Sequence, residues 1–82
     1  MSLETEQRFD VVIFHKDTRE IDSIIGKSMR RHDGVGSGRN TAELRKQTGL
    51  ERINDRYDCE IVNADQFKEG DKIPTDYHYE SL

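Results

Sequence analysis

The sequence predicts a small α+β domain of order β-β-α-β, a three-stranded, mainly antiparallel sheet with one helix packed on one face. Three observations carry this prediction. Val11-Val12-Ile13-Phe14 is an unbroken run of β-branched and aromatic residues. Only Lys16-Asp17-Thr18-Arg19 separates it from a second isoleucine-rich segment, a link too short for a parallel crossover. Further on, Asn40 and Glu43 form an N-cap and N3 pair ahead of a helical stripe.

The first strand spans Arg8 to His15. In the polar turn that follows, Asp17 is suited to accept from backbone amides two residues on. The second strand spans Glu20 to Gly26 and contains Ile21, Ile24 and Ile25. With strict alternation, Phe9, Val11 and Ile13 point one way, and Val12 and Phe14 the other. Ile21 and Ile25 oppose Ile24 on the same reasoning.

The helix is expected from about Thr41 to Tyr57, with Ala42, Lys46, Gly49, Leu50, Ile53 and Tyr57 on one stripe. Gly49 implies either close approach to the sheet or a helix end, with a second short helix from Leu50. Asp58 to Ala64 is the third strand, in which Cys59 and Ile61 oppose Val62. A turn follows around Glu69-Gly70-Asp71, then a polar tail from Pro74, with a short edge strand at Tyr77 and Tyr79 as an option. The expected organisation is a flexible segment at 1–7, one domain at 8–73 and the tail at 74–82.

Size and composition limit the core. Eighteen of 82 residues are Leu, Ile, Val or Phe, about 22%, close to the roughly 20% level below which disorder sets in. A chain this short buries only about 60% of its unfolded surface. One helix covers one sheet face, yet these strands are apolar on both. The second face therefore predicts either a homodimer, the favoured reading, or terminal segments folded over it. The single cysteine, Cys59, excludes an internal disulfide. With no apolar stretch long enough to span a bilayer and no signal-peptide pattern, the expected location is the cytoplasm.

The net charge of −4 is unevenly spread. Residues 1–26 carry −3, residues 27–56 carry +4 and residues 57–82 carry −5. Within the cationic stretch, Arg30-Arg31-His32-Asp33-Gly34-Val35-Gly36-Ser37-Gly38-Arg39-Asn40 is the segment that suggests a binding chemistry. Glycine-spaced amides leading into a helix N-terminus suit an anion. Arg30, Arg31 and Arg39 are able to grip phosphate in bidentate fashion, and Ser37 and Asn40 to donate side-chain bonds. The expected anion site is thus Arg30, Arg31, Gly36, Ser37, Gly38, Arg39 and Asn40. The same composition also suits a plain connector.

Other signatures fail. Gly26-Lys27-Ser28 is not a P-loop, because Ile21 stands where the motif needs glycine. Gly-x-Gly-x-Gly without a βαβ pattern is not a dinucleotide fingerprint. His15, His32 and His78 lack metal spacing, so no metal or cofactor is expected. Cys59 opens a strand, where it serves as a small buried hydrophobe. Arg45, Arg52 and Arg56 are placed on one helix face, extending the basic surface. The Asp-Thr-Arg-Glu turn and its isoleucine strand identify no family. The leading expectation is a small non-enzymatic interaction or regulatory module, homodimeric, that docks an anionic ligand or partner. An enzyme or enzyme subunit acting on a phosphorylated small molecule, with His32 or Asp33 moving a proton, is the alternative. Nucleic-acid binding is a weaker third reading, because the pI of about 5.3 is far from a basic footprint.

Overall fold

The structure, a computed structural model, describes residues 8–30 and 42–78. Its elements are β1 (Phe9–His15), β2 (Ile21–Met29), α1 (Ala42–Arg52) and β3 (Tyr57–Asn63). The sheet order is β2-β1-β3, and both pairings with β1 are antiparallel. β2 and β3 therefore run in the same direction on either side of β1, and α1 lies on the return path between them. This is the α+β architecture expected from the sequence.

β1 is central because it is the most apolar strand, and every residue from Phe9 to Val12 is buried. Its pairing with β3 is regular from Phe9↔Asn63 to His15↔Tyr57. Its pairing with β2 shifts register three times, between Phe9 and Val11, Val11 and Val12, and Ile13 and Phe14. These shifts lengthen β2 to Met29, beyond the Gly26 expected from the sequence. They also redistribute its isoleucines. Ile21 and Ile24 join the second face and Ile25 joins the helix face, whereas strict alternation puts Ile21 with Ile25. Each extra residue in a bulge moves the following side chains to the other side.

The helix face holds Phe9, Val11, Met29, Ala42, Cys59 and Ile61, with Ile13, Ile25 and Ile53 packed against them. α1 crosses at Gly49, where an added Cβ would stand 2.7 Å from Ile25 Cδ1 and 3.2 Å from Cys59 Sγ. The glycine marks close approach and not a helix end. The helix stops at Arg52 and does not run to Tyr57. Asn54 accepts the Arg56 amide on its side chain (2.9 Å) and the Tyr57 amide on its carbonyl (3.2 Å), and this Asx turn launches β3.

The second face holds Val12, Phe14, Ile21, Val62 and Ile73, flanked by Ile24, Phe67 and Tyr77. Its cover is the chain's own C-terminal segment. Ile73 is 2% exposed. Gly70 donates to the Ile21 carbonyl (3.0 Å) and Ile21 donates to the Asp71 carbonyl (2.8 Å), while Glu20 and Lys72 form an isolated bridge. The apolar face that motivated a homodimer is therefore covered within one chain, at its C-terminal side by the folding-over that was the other option. Tyr77, expected in a polar tail, packs edge-on against Phe67 at 5.2 Å. Neither Tyr77 nor His78 belongs to a strand; Tyr79 and the segment 1–7 lie outside the described residues.

Candidate functional site

The frame of the expected anion site is visible at its two ends. Arg30 follows β2 directly and is exposed. The Ala42 amide, at the start of α1, donates to the Arg30 carbonyl, so the end of β2 and the N-terminus of the helix meet. Arg31, Gly36, Ser37, Gly38, Arg39 and Asn40 lie outside the described residues, as do His32 and Asp33. Eleven residues, 31–41, leave from and return to this one hydrogen-bonded point.

The expected basic helix face is divided. The Arg45 stem runs past Gly26, where an added Cβ would meet its Cγ at 3.2 Å. Lys46 lies half-buried, with its ammonium 3.8 Å from the Glu60 carboxylate. Arg52 ends the helix. Arg56 lies in the Asx turn and so is not on the helix. It lines an open cleft of about 440 Å³ with His15, Lys16, Asp17, Asp55 and Tyr57. Two carboxylates offset the lysine and arginine there, and His15 leans on the Tyr57 ring at 4.8 Å, 3.7 Å from Asp22. This cleft has no excess of either charge with which to select a ligand.

Among the described residues the buried charged side chain is Asp10, which the sequence reading missed. It is fully buried, as the second residue of β1. Its Oδ1 accepts from the Ser28 amide at 2.9 Å. Its Oδ2 accepts from the Asp65 amide at 3.0 Å and from Lys27 Nζ at 3.1 Å. Lys27 Nζ also reaches Asp65 Oδ1 at 2.7 Å. These bonds, to Asp65 first and Asp10 second, raise the Lys27 pKa above its ordinary value. Ser28 and Asp65 both adopt left-handed backbone, with φ of 52° and 62°. Asp10 thus ties the bulged end of β2 to the turn after β3. Its oxygens are satisfied by these three donors, so the group is a structural clamp and not an open site. The available signal was a carboxylate inside an otherwise apolar strand, which burial forces to find partners.

Cys59 is 1% exposed, and desolvation pushes its thiol up to about 11. A thiol that stays protonated at neutral pH is a packing group and not a nucleophile. A shallower cleft, also about 440 Å³, is lined by Lys27, Asp65, Gln66, Phe67, Lys68 and Asp71. Lys27 pairs there with Asp65, and the Asp71 carboxylate accepts from the backbone amide of Lys68 at 3.0 Å. Among the described residues no cluster of His, Cys, Asp and Glu is arranged to hold a metal ion, and no helix is long and apolar enough to cross a membrane.

The arrangement is therefore a clamped β-sheet frame from which one arginine- and glycine-bearing segment departs at the Arg30–Ala42 contact. Comparison with protein-family models, with curated proteins and with solved structures finds no match to this chain.

Proposed function

We propose that this chain is a small non-enzymatic interaction module that presents its 30–40 segment to an anionic ligand or partner. The observation that carries this reading is the Ala42 to Arg30 hydrogen bond. It joins the two ends of the segment at the positive end of an 11-residue helix, on a sheet braced by the Asp10 clamp. A rigid frame carrying one long connection is how binding segments are commonly displayed. Arg30, Arg31 and Arg39 supply the charge, and the amides and side chains of Gly36, Ser37, Gly38 and Asn40 supply the donors. A buried, protonated Cys59 suits a reducing compartment such as the cytoplasm. A homodimer no longer follows from the sheet faces, both of which are covered, and would need another surface.

The test is a thermal-shift titration with inorganic phosphate, nucleotides and short DNA. A bound anion at 100 times its Kd stabilises by about 2.7 kcal/mol, several degrees in a domain of this size. The expected result is a shift with at least one anion that is lost in Arg30→Ala/Arg31→Ala. No shift with any of them overturns the reading. A shift for DNA alone, falling steeply with salt, assigns the segment to nucleic acid instead. Turnover of a phosphorylated small molecule assigns it to an enzyme.

A further inference from the structure

The outer edge of β3 carries a pattern that neither the fold nor the proposed binding segment requires. The Ala64 amide donates to Arg8 and the Lys16 amide donates to Arg56. With the unbroken register between β1 and β3, these two bonds set the phase of the ladder. Val62, Glu60 and Asp58 hydrogen-bond inward to β1, and Tyr57, Cys59, Ile61 and Asn63 turn their backbone groups outward. An outward row of this kind is a template for another strand.

Three of its four N–H groups are taken by the chain itself. The Tyr57 amide donates to the Asn54 carbonyl at 3.2 Å. The Cys59 amide donates to Asp58 Oδ1 at 2.8 Å. The Asn63 amide donates to the Tyr77 hydroxyl at 2.9 Å, and that hydroxyl in turn donates to Asn63 Oδ1 at 2.7 Å. Among the described residues, Ile61 is left as the outward donor. At the other side of the sheet, residues 70–73 pair with the start of β2, and three register shifts break up the rest of that strand.

We propose that Asp58 and Tyr77 are edge stoppers, which occupy the outward amides of β3 and prevent this sheet from being extended by the same edge of a second copy. The geometry selects that occupant. Two β3 strands related by a two-fold axis at Ile61 are antiparallel, and they pair Ile61 with Ile61 and Cys59 with Asn63, so that the same three outward residues face each other. Asp58 and Tyr77 block the donors that flank the axis. Tyr77 has a second function in covering Val62 with Phe67, so closing the edge and covering the second face depend on one side chain.

The experiment compares the wild-type chain with Asp58→Ala/Tyr77→Phe by sedimentation velocity over a wide concentration range. Phenylalanine keeps the ring against Phe67 and removes only the hydroxyl. The wild type is expected to sediment as a 9.6 kDa monomer, and the double variant to self-associate at least tenfold more tightly, with new amide-exchange protection at Ile61. A double variant that keeps its circular dichroism and stays as monomeric as the wild type overturns the proposal. Amide exchange in the wild type decides the matter if the variant does not fold. Cys59 and Asn63 should then exchange at least tenfold more slowly than Ile61, and equal rates at the three overturn it.

Discussion

The guanidinium carbon of Arg19 stands 4.9 Å from the centroid of the Phe14 ring, while its Nε and Nη2 donate to the carbonyls of Ile73 (3.0 Å) and Pro74 (3.1 Å). One side chain from the β1–β2 turn thus stacks on the central strand and holds the segment that covers the second face. Its backbone is left-handed, with φ of 67°, and this aims the side chain across the strand ends. Arg19→Lys keeps the charge but loses the planar fork and the stacking. It should destabilise the chain by about 1–2 kcal/mol, read from the midpoint of urea unfolding. Ile73→Ala should cost about 2–5 kcal/mol, more than Arg19→Lys. The reverse order would show that the polar contacts, and not the buried isoleucine, hold the cover in place.

Asp10 and Lys27 form an ion pair of unequal members. The Asp10 side chain is 0% exposed and that of Lys27 is 55% exposed. Removing the carboxylate strands the amides of Ser28 and Asp65, both in left-handed backbone, so Asp10→Ala should cost about 3 kcal/mol or more. Lys27→Met leaves Asp10 with both amide donors and should cost less than half as much. Equal losses in chemical denaturation would mean that the ammonium, and not the pair of amides, neutralises the buried charge.

Among the described residues, Cys59 and Lys27 are shifted upward, and both shifts lower stability as the pH turns alkaline. The Cys59 thiol ionises near 9.0 when solvated and near 11 in the fold, because burial disfavours the thiolate. Above about pH 9 the unfolded chain releases this proton and the folded chain does not, so stability falls progressively up to about pH 11. Lys27 is raised by its bonds to Asp65 and Asp10. Its contribution is complete below the unfolded lysine value of about 10.4 and is lost as pH passes the higher folded value. Urea midpoints should be level from pH 7 to 8.5 and should decline above pH 9. Cys59→Ala should delay that decline towards pH 10, and an unchanged profile in this variant would remove the thiol from the account. Alkylation of Cys59 by iodoacetamide at pH 8 should be slow and should accelerate with denaturant.

Much of the architecture was legible because it rests on local chemistry. The run Val11–Phe14 marks the central strand, the four-residue polar link dictates a hairpin, and Gly49 marks where helix and sheet touch. Alternation along a strand is also local, and it placed every β1 and β3 residue that was assigned a face. It failed in β2, where bulges against β1 move Ile21 and Ile25 to opposite faces. The helix length was misjudged because the apolar stripe continues through Ile53 to Tyr57, while the Asx turn at Asn54 depends on one side chain folding back. Of the anion site, Arg30 and the helix start at Ala42 are placed side by side, and the remaining candidates fall outside the described residues.

By itself the sequence determined the order of elements, the apolar strands, the single free thiol and the position of the arginine- and glycine-rich connection. These follow from residue types and short-range spacing, which act before the chain has closed on itself. Only the tertiary structure decided what covers the second sheet face, how Asp10 is neutralised and which amides of β3 remain open. Each of these joins residues far apart in the chain: Phe14 to Ile73, Asp10 to Asp65, Asn63 to Tyr77. Burial makes an unpartnered face, charge or amide costly, but it does not name the distant segment that relieves the cost. That choice depends on strand register and on where the C-terminal segment returns, and both are set by the packed fold.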